Sequence, residues 1–155
     1  MDISNKTFVV VGTGKSGVAA AELLLRHAKK VYLYDGNETL DVAAFRKQHQ
    51  SLNAVELILG TLPAEIETTL DIAVLSPGVP LDIPVVEQMK AQGICIWGEI
   101  ELAYVLGKGK VVAITGTNGK TTTTTLVGQI MARHFAKVQV VGNIGIPYTS
   151  VVEDT

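Results

Sequence analysis

A short segment in the last third of the chain combines the groups that hold a nucleoside triphosphate. Residues 115–121 read Thr-Gly-Thr-Asn-Gly-Lys-Thr, and we refer to them as the P-loop. Gly116 and Gly119 free backbone N–H groups to cradle phosphate oxygens, and Lys120 can neutralise the β- and γ-phosphates. The hydroxyl of Thr121 is placed to ligate Mg²⁺. The segment therefore predicts an ATP and Mg²⁺ site whose catalytic groups are Lys120 and Thr121.

The P-loop departs from the commonest phosphate-binding pattern at one position. The pattern G-x-x-x-x-G-K-[ST] requires glycine at position 114, where this chain has Ile114, and Gly116 stands further inward. A turn that binds no ligand is the alternative interpretation. We favour phosphate binding because an apolar run at residues 111–114, two glycines, a lysine and a threonine rarely coincide by chance.

A second glycine-rich segment lies near the start of the chain. Residues 12–17 read Gly-Thr-Gly-Lys-Ser-Gly between a β-branched run and a helical pattern, and we call them the glycine loop. Such a loop approaches a diphosphate closely and offers it the free N–H groups of a helix N-terminus. Asp35 ends the next predicted strand, where a dinucleotide fold places its ribose-binding acid. We predict a diphosphate-containing ligand, with a plain structural turn as the alternative; Lys15 either contacts a phosphate or is a solvated surface lysine.

Two further segments carry candidate binding residues. Residues 76–80 read Ser-Pro-Gly-Val-Pro and follow the fourth predicted strand, at the sheet edge where open α/β folds bind ligands. A rigid turn without ligand contact is the alternative. Asn143, within Gly-Asn-Ile-Gly at residues 142–145, either hydrogen-bonds a substrate or stabilises a turn. The three histidines lack metal-ligand spacing, and the single cysteine, Cys95, excludes a disulfide within this chain.

Strand and helix patterns alternate along the first two thirds of the chain. Short apolar runs predict five strands, at residues 7–11, 31–34, 55–59, 71–75 and 94–97. Helical spacing predicts helices between them, at residues 16–27, 41–48, 64–69 and 84–92. This alternation predicts an α/β fold, a Rossmann-like parallel five-stranded sheet with helices on both faces.

A linker and a second unit follow the predicted sheet. We place the linker at residues 99–110, which contain Gly-Lys-Gly. A strand, a helix and a strand are then predicted, which form the first β-loop-α-β unit of a P-loop ATPase domain, at residues 111–115, 120–135 and 138–141. The predicted domains are residues 1–98, which bind a substrate, and residues 99–155, which begin an ATP-binding domain.

The composition and net charge of the chain argue against nucleic acids and membranes as binding partners. The chain is 47% hydrophobic and 18% charged, as in ordinary globular proteins. A formal net charge of −2 gives no support for nucleic-acid binding, which requires a basic face. The apolar runs are far shorter than the ~20 residues that cross a membrane. We therefore expect a protein without nucleic-acid or membrane partners.

The motifs, taken in order, resemble those of the Mur ligases. The resemblance covers essentially the whole chain and comprises the glycine loop together with residues 34–35, 76–79, 98–102, 114–122 and 142–145. The P-loop is shared by the wider superfamily of Mur and folylpolyglutamate ligases. The glycine loop, Ser-Pro-Gly at 76–78 and Gly-Glu-Ile-Glu-Leu at 98–102 are similar to the branch that adds D-glutamate.

This resemblance implies an enzyme of peptidoglycan synthesis in the cytoplasm. Its small-molecule substrates would be UDP-N-acetylmuramoyl-L-alanine, D-glutamate and ATP, with Mg²⁺ as cofactor and an acyl phosphate on the path to the amide. The resemblance also implies that the chain is the N-terminal portion of a longer, monomeric ligase. Such a portion is expected to bind the UDP substrate without catalysing ligation. Its second unit is expected to be disordered, to self-associate, or to pack back on the first.

The resemblance further assigns residues to two binding sites. The residues implied to bind ATP form the P-loop and the start of its helix: Gly116, Thr117, Asn118, Gly119, Lys120, Thr121 and Thr122, with Mg²⁺ on Thr121. The residues implied to bind the UDP substrate come from four loops: Gly14, Lys15, Ser16, Gly17, Asp35, Gly36, Ser76, Pro77, Gly78 and Asn143.

Other functions remain open at this point. An NAD-binding module of a dehydrogenase explains the glycine loop and Asp35 but leaves the P-loop unused. A nucleotide-sensing module without chemistry is a second alternative. Within the same class, another Mur ligase or a folylpolyglutamate ligase is the nearest rival.

Overall fold

A five-stranded parallel sheet forms the centre of the chain in the computed structural model, which describes residues 1–142 and 144–154. The strand order is β3-β2-β1-β4-β5, and every neighbouring pair is parallel. The strands are β1 (Thr7–Val11), β2 (Lys30–Asp35), β3 (Glu56–Leu59), β4 (Ile72–Leu75) and β5 (Cys95–Gly98). The predicted Rossmann-like sheet is therefore confirmed.

Helices cover both faces of this sheet. They are α1 (Lys15–His27), α2 (Val42–Gln48), α3 (Ala64–Glu67), α4 (Pro84–Ala91) and α5 (Glu99–Leu106). A sixth helix, α6 (Lys120–Ala132), follows them in the chain and contributes none of the described core residues on either face. Side chains alternate along a strand, so Phe8 and Val10 of β1 face α1 and α5, whereas Val9 and Val11 face α4. Every residue of β1 is buried, as expected of a central parallel strand. No helix in the described residues is long and apolar enough to span a membrane.

The predicted linker contains a helix that belongs to the first unit. We expected residues 99–110 to connect two domains, but residues Glu99–Leu106 form α5. Leu102 and Ala103 are fully buried against the face of the sheet that α1 covers. The prediction was wrong because Gly107 caps the end of α5 and marks only the end of this stretch, whereas the residues before it are apolar enough to pack.

The second unit differs from its prediction in its strands. The predicted strands at residues 111–115 and 138–141 are not strands in the structure. A strand needs a neighbour for its backbone hydrogen bonds, and no described strand pairs with either segment. Val112 is 61% exposed, so its apolar run is not buried as a central strand would be. The helix of this unit does form, ending at Ala132 rather than at residue 135.

Helix α6 begins with threonines, which are poor helix formers. Their hydroxyls compensate by bonding back to the preceding turn. Thr124 Oγ1 donates to the Lys120 carbonyl at 2.8 Å, and Thr125 Oγ1 donates to the Thr121 carbonyl at 2.9 Å. Most of α6 is exposed, with only Gly128 buried. Local hydrogen bonds, more than tertiary packing, therefore hold this first turn.

After α6 the chain returns to the first unit. Residues 148–154 form two 3₁₀ turns, Tyr148–Ser150 and Val152–Asp154, and we call residues 147–152 the returning turn. Tyr148 and Val152 are buried in the same cluster as α1 and α5. Of the three outcomes expected for the second unit, packing back on the first is what residues 148–154 show.

Candidate functional site

The glycine loop and residues 76–80 meet at one edge of the sheet. β1 and β4 are neighbours at its centre, and the chain leaves them in opposite directions, towards β2 and towards β5. This is the topological switch point, where open α/β sheets bind ligands outside the carboxyl ends of the strands. The fold thus brings together two segments that are about sixty residues apart in sequence.

Contacts inside the glycine loop require glycine at two positions. Gly12 has φ of +103°, a conformation that residues with a side chain rarely adopt. A Cβ atom on Gly17 would lie 1.9 Å from the Gly12 carbonyl oxygen and 2.8 Å from Ser76 Oγ. At Gly14, by contrast, no heavy atom lies within 4 Å of an added Cβ. Gly12 and Gly17 therefore serve close backbone packing, whereas Gly14 faces open space.

Asp35 ties the glycine loop to the end of β2. Its Oδ2 accepts hydrogen bonds from the Thr13 amide at 2.9 Å and from Thr13 Oγ1 at 2.6 Å. Its Oδ1 accepts from the Asn37 amide at 3.0 Å. Burial acts to raise the pKa of Asp35, but the hydrogen bonds from Thr13 and Asn37 together lower this pKa below its ordinary 3.8. The ionised carboxylate is the form that this loop holds.

The lowered pKa predicts a pH-dependent contribution of Asp35 to stability. Because the folded-state pKa is depressed, the stabilisation is present above the ordinary value of 3.8 and is lost as pH falls through the folded-state pKa. We expect Asp35→Asn to lower the free energy of unfolding by about 1 kcal/mol at neutral pH. The difference from wild type should shrink towards about pH 2.5.

Urea denaturation at both pH values measures this effect. Asp82→Asn is the matched control, because Asp82 is exposed and the same charge is removed. A difference between wild type and Asp35→Asn that is equal at both pH values would contradict the role of the ionised carboxylate.

Ser76 presents a buried hydroxyl to the glycine loop. Its Oγ is shielded from solvent and has no hydrogen-bond partner among the described residues. Buried hydroxyls are nearly always hydrogen-bonded, and an orphaned one at a ligand edge fits a group that a ligand supplies. Pro77 and Gly78, which follow it, are exposed. The backbone of Ser76 is fixed, since its amide donates to the Val11 carbonyl at 3.1 Å.

Two cavities flank the glycine loop. The smaller, of about 300 Å³, is lined by Asp35, Gly36 and Gly78 among the predicted residues. The larger has a volume of about 490 Å³, and Lys15 is the residue of the predicted set that lines it. The predicted residues Gly14, Ser16, Gly17, Ser76 and Pro77 line neither cavity.

Several cavity residues had not been singled out from the sequence. Asn37 lines the smaller cavity and ends the turn sequence Asp-Gly-Asn at residues 35–37, so its position was a usable signal. His49 and Ser150 line the larger cavity, and their sequence context offered no such signal. His49 is the residue that caps the C-terminus of α2.

The P-loop keeps the backbone features that its motif predicts. Gly116 and Gly119 have φ of +150° and +77°, and α6 begins directly after them at Lys120. Lys120 Nζ donates to the Gly116 carbonyl at 2.5 Å and to the Thr117 carbonyl at 3.2 Å. Residues 115–123 are all exposed. The loop thus offers a helix N-terminus and an accessible ammonium group, the chemistry that an anion requires.

The remaining predictions concern Asn143 and metal binding. Asn143 lies outside the described residues. Within residues 1–142 and 144–154, no group of three or more His, Cys, Asp or Glu side chains could hold a metal ion. The assignment of Mg²⁺ to Thr121 stays a prediction.

Comparisons with known proteins bear on both units. The family model described as Mur ligase MurD-like, N-terminal domain, matches residues 6–98, and that of the Mur ligase middle domain matches residues 114–154. UDP-N-acetylmuramoylalanine–D-glutamate ligase of Lachnospira eligens is 52% identical over all of this chain and 34% of its own length. The ligase of that name from Lachnoclostridium phytofermentans is 49% identical over the same shares. The chain thus spans about a third of the length of these relatives.

One solved structure supports the fold. A pseudomurein peptide ligase type C from Methanothermus fervidus superimposes with a TM-score of 0.51, covering 83% of this chain and 26% of that one. Its sequence identity of 24% supports a shared architecture and nothing about substrates.

Proposed function

The chain belongs to the Mur ligase family, and on that premise we propose that it contributes to the ligation of D-glutamate to UDP-N-acetylmuramoyl-L-alanine. The observation that carries the proposal is the presence of two different glycine-containing loops at helix N-termini, one at the switch point of a complete sheet and one at the start of α6. A dehydrogenase module would need only the first. A ligase that uses both a UDP-linked substrate and ATP needs both.

We propose that the first unit binds the UDP-linked substrate. Lys15, Ser16 and Gly17 lie at the N-terminus of α1, where free amides and the helix dipole favour a diphosphate. The orphaned hydroxyl of Ser76 supports a ligand group at the same edge. Asp35 and Gly36, with Gly78, line the smaller cavity and fit the uridine end. Gly14, Pro77 and Asn143 complete the proposed set, as the family resemblance implies.

We propose that the P-loop binds the phosphates of ATP. Its residues fit that role because Gly116 and Gly119 have the positive φ angles of an anion cradle and Lys120 is accessible beside it. Lys120 Nζ would exchange its two carbonyl acceptors for phosphate oxygens. Bound Mg²⁺, held by Thr121, would neutralise charge on the phosphates. The other residues assigned to this site share the loop or its helix: Thr117, Asn118 and Thr122.

The proposed reaction is ATP-dependent amide formation. A carboxylate oxygen of the UDP-linked substrate attacks the γ-phosphorus, ADP leaves, and the D-glutamate amine then displaces phosphate from the acyl carbon. This chain's part is to hold two anionic substrates and to place a cation beside the transferring group. We place this chemistry in the cytoplasm, on small molecules alone.

We propose residues 1–98 as the substrate domain and residues 99–155 as the beginning of the ATP-binding domain. The packing of α5 and of residues 148–154 on the first unit means that this division follows function more closely than it follows burial. Exposed apolar side chains on α6, such as Leu126 and Ile130, support the proposal that further chain covers this helix.

Isothermal titration with UDP-N-acetylmuramoyl-L-alanine tests the proposal, with NADH as the control ligand. We expect saturable binding of the UDP ligand and no binding of NADH. Lys15→Ala should weaken the affinity for the UDP ligand by about tenfold, because a charge-assisted contact to phosphate is lost. Lys29→Ala, at an exposed lysine beyond the end of α1, should leave affinity unchanged. Binding of NADH alone would overturn the ligase interpretation in favour of a dehydrogenase module.

A further inference from the structure

Glu99, the first residue of α5, is a buried acidic side chain with a partner far away in sequence. Glu99 is only 3% exposed. Oε1 accepts hydrogen bonds from the Thr149 amide at 2.8 Å and from Thr149 Oγ1 at 3.0 Å. Burying a carboxylate is unfavourable unless hydrogen bonds compensate for its lost hydration. The pair therefore fixes where the returning turn meets α5.

A second contact holds the same turn at the other end of α5. Tyr148 is buried, and its hydroxyl would lie 2.9 Å from a Cβ added at Gly107, the residue that ends α5. Thr149 itself is only 2% exposed. Both ends of α5 thus lie against the returning turn, through the Glu99–Thr149 hydrogen bonds at one end and the close approach of Tyr148 to Gly107 at the other.

The returning turn also forms part of the larger cavity. Pro147 and Ser150, which flank the two buried residues of the turn, line this cavity together with Thr13 and Lys15 of the glycine loop. The turn follows α6 in the chain, so a segment beyond the P-loop helix completes a cavity at the first phosphate loop. The position of this wall depends on what holds Thr149.

We propose that Glu99 is a positioning residue for the substrate site. Its carboxylate holds the returning turn on α5, and the turn in consequence presents Pro147 and Ser150 as a wall of the cavity beside Lys15. This inference rests on the proposed function, which assigns Lys15, a residue of that cavity, to the UDP-linked substrate. Glu99 does not itself contact the substrate; it acts through Thr149.

Four single variants separate this role from a general effect of charge. Glu99→Ala removes the acceptor, Glu99→Gln keeps an acceptor oxygen, and Thr149→Val removes only the hydroxyl donor. Glu101→Ala is the matched control, because Glu101 is exposed in the first turn of the same helix and carries the same charge. Two readouts are taken for each: hydrogen exchange of the Thr149 amide and affinity for UDP-N-acetylmuramoyl-L-alanine.

We expect Glu99→Ala to speed hydrogen exchange of the Thr149 amide by about tenfold or more and to weaken the affinity for the UDP ligand by a similar factor. Thr149→Val should show about half of that loss on a logarithmic scale, because one of two donors remains. Glu99→Gln and Glu101→Ala should stay within about twofold of wild type in both readouts. Rescue by Gln distinguishes a hydrogen-bond acceptor from a buried charge.

Three results would overturn the inference. Unchanged exchange in Glu99→Ala would show that the carboxylate does not hold the turn, and faster exchange with unchanged affinity would show that the turn does not shape the site. Equal losses in Glu99→Ala and Glu101→Ala would assign the effect to charge alone. If Glu99→Ala fails to fold, Thr149→Val decides by the same two readouts.

The inference and the proposed function fail in different ways. If wild type binds no UDP ligand, the proposed function fails, while exchange at Thr149 and the backbone amide shifts of Lys15 still report whether the turn is held against the glycine loop. In that case, amide shifts of Lys15 that change in Glu99→Ala and not in Glu101→Ala support the positioning role, and shifts that change in neither overturn it.

Discussion

Replacing Gly17 by alanine is expected to lower the free energy of unfolding by about 3 kcal/mol or more and to abolish binding of the UDP ligand. The new methyl group would lie 1.9 Å from the Gly12 carbonyl oxygen, well inside van der Waals contact. Its obstacle is backbone, which cannot rotate away as a flexible side chain can. The strain therefore has to move either α1 or the end of β1, and both carry the proposed substrate site. Urea denaturation and calorimetry measure the two effects.

Gly14→Ala is the matched control for this substitution. Gly14 precedes α1 with φ of −71°, which alanine adopts freely, and nothing lies within 4 Å of the added methyl group. We expect a change in stability within about 1 kcal/mol, as for alanine at other helix N-caps. Equal stability losses at Gly14 and Gly17 would mean that glycine is needed here for conformational freedom and that close packing does not decide the effect.

The sheet was predictable because its strands are short apolar runs bounded by turn residues. In β1 the run ends at Gly12 and all five of its residues are buried, so burial follows directly from composition. The same reasoning failed at residues 111–115, where an equally apolar run is not a strand. A strand requires a hydrogen-bonding neighbour as well as apolar side chains, and a neighbour is a property of the whole fold that local composition does not contain.

The candidate site was predictable where its residues lie at the ends of strands and not where a contact joins segments outside the sheet. The glycine loop and Ser76 each follow a strand and Asp35 ends one, so the rule for parallel sheets places them at one edge. The Glu99 to Thr149 pair joins residues that are 50 apart, and no spacing rule connects them. Glu99 also lies in the predicted linker, and residues of a linker are not expected to be buried, so nothing in the sequence indicated a buried partner.

Replacing Lys120 by alanine is expected to reduce amide formation by about 10²- to 10³-fold, in kcat, in a protein of the relatives' full length. Lys120 Nζ stands beside the glycines of the P-loop and is the cation proposed to stabilise the transferring phosphoryl group. The residue is exposed, so its removal should change the free energy of unfolding by only about 0.5 kcal/mol. Affinity for the UDP ligand should be unchanged, because that ligand is proposed to bind the first unit. Steady-state kinetics with measured phosphate release test the first expectation, and calorimetry tests the last.

Lys108→Ala provides the comparison for Lys120→Ala. Lys108 is likewise exposed and lies a few residues before the P-loop, so the two variants lose the same charge in the same part of the chain. If kcat depends on the specific position of Lys120 at the loop, Lys108→Ala should keep activity within about twofold of wild type. A kcat of Lys120→Ala within tenfold of wild type would show that the P-loop does not take part in the reaction. Equal losses in both variants would point instead to the general positive field of this segment, because the specific contact, a bridge between the Gly116 and Thr117 carbonyls, is made by the Lys120 ammonium.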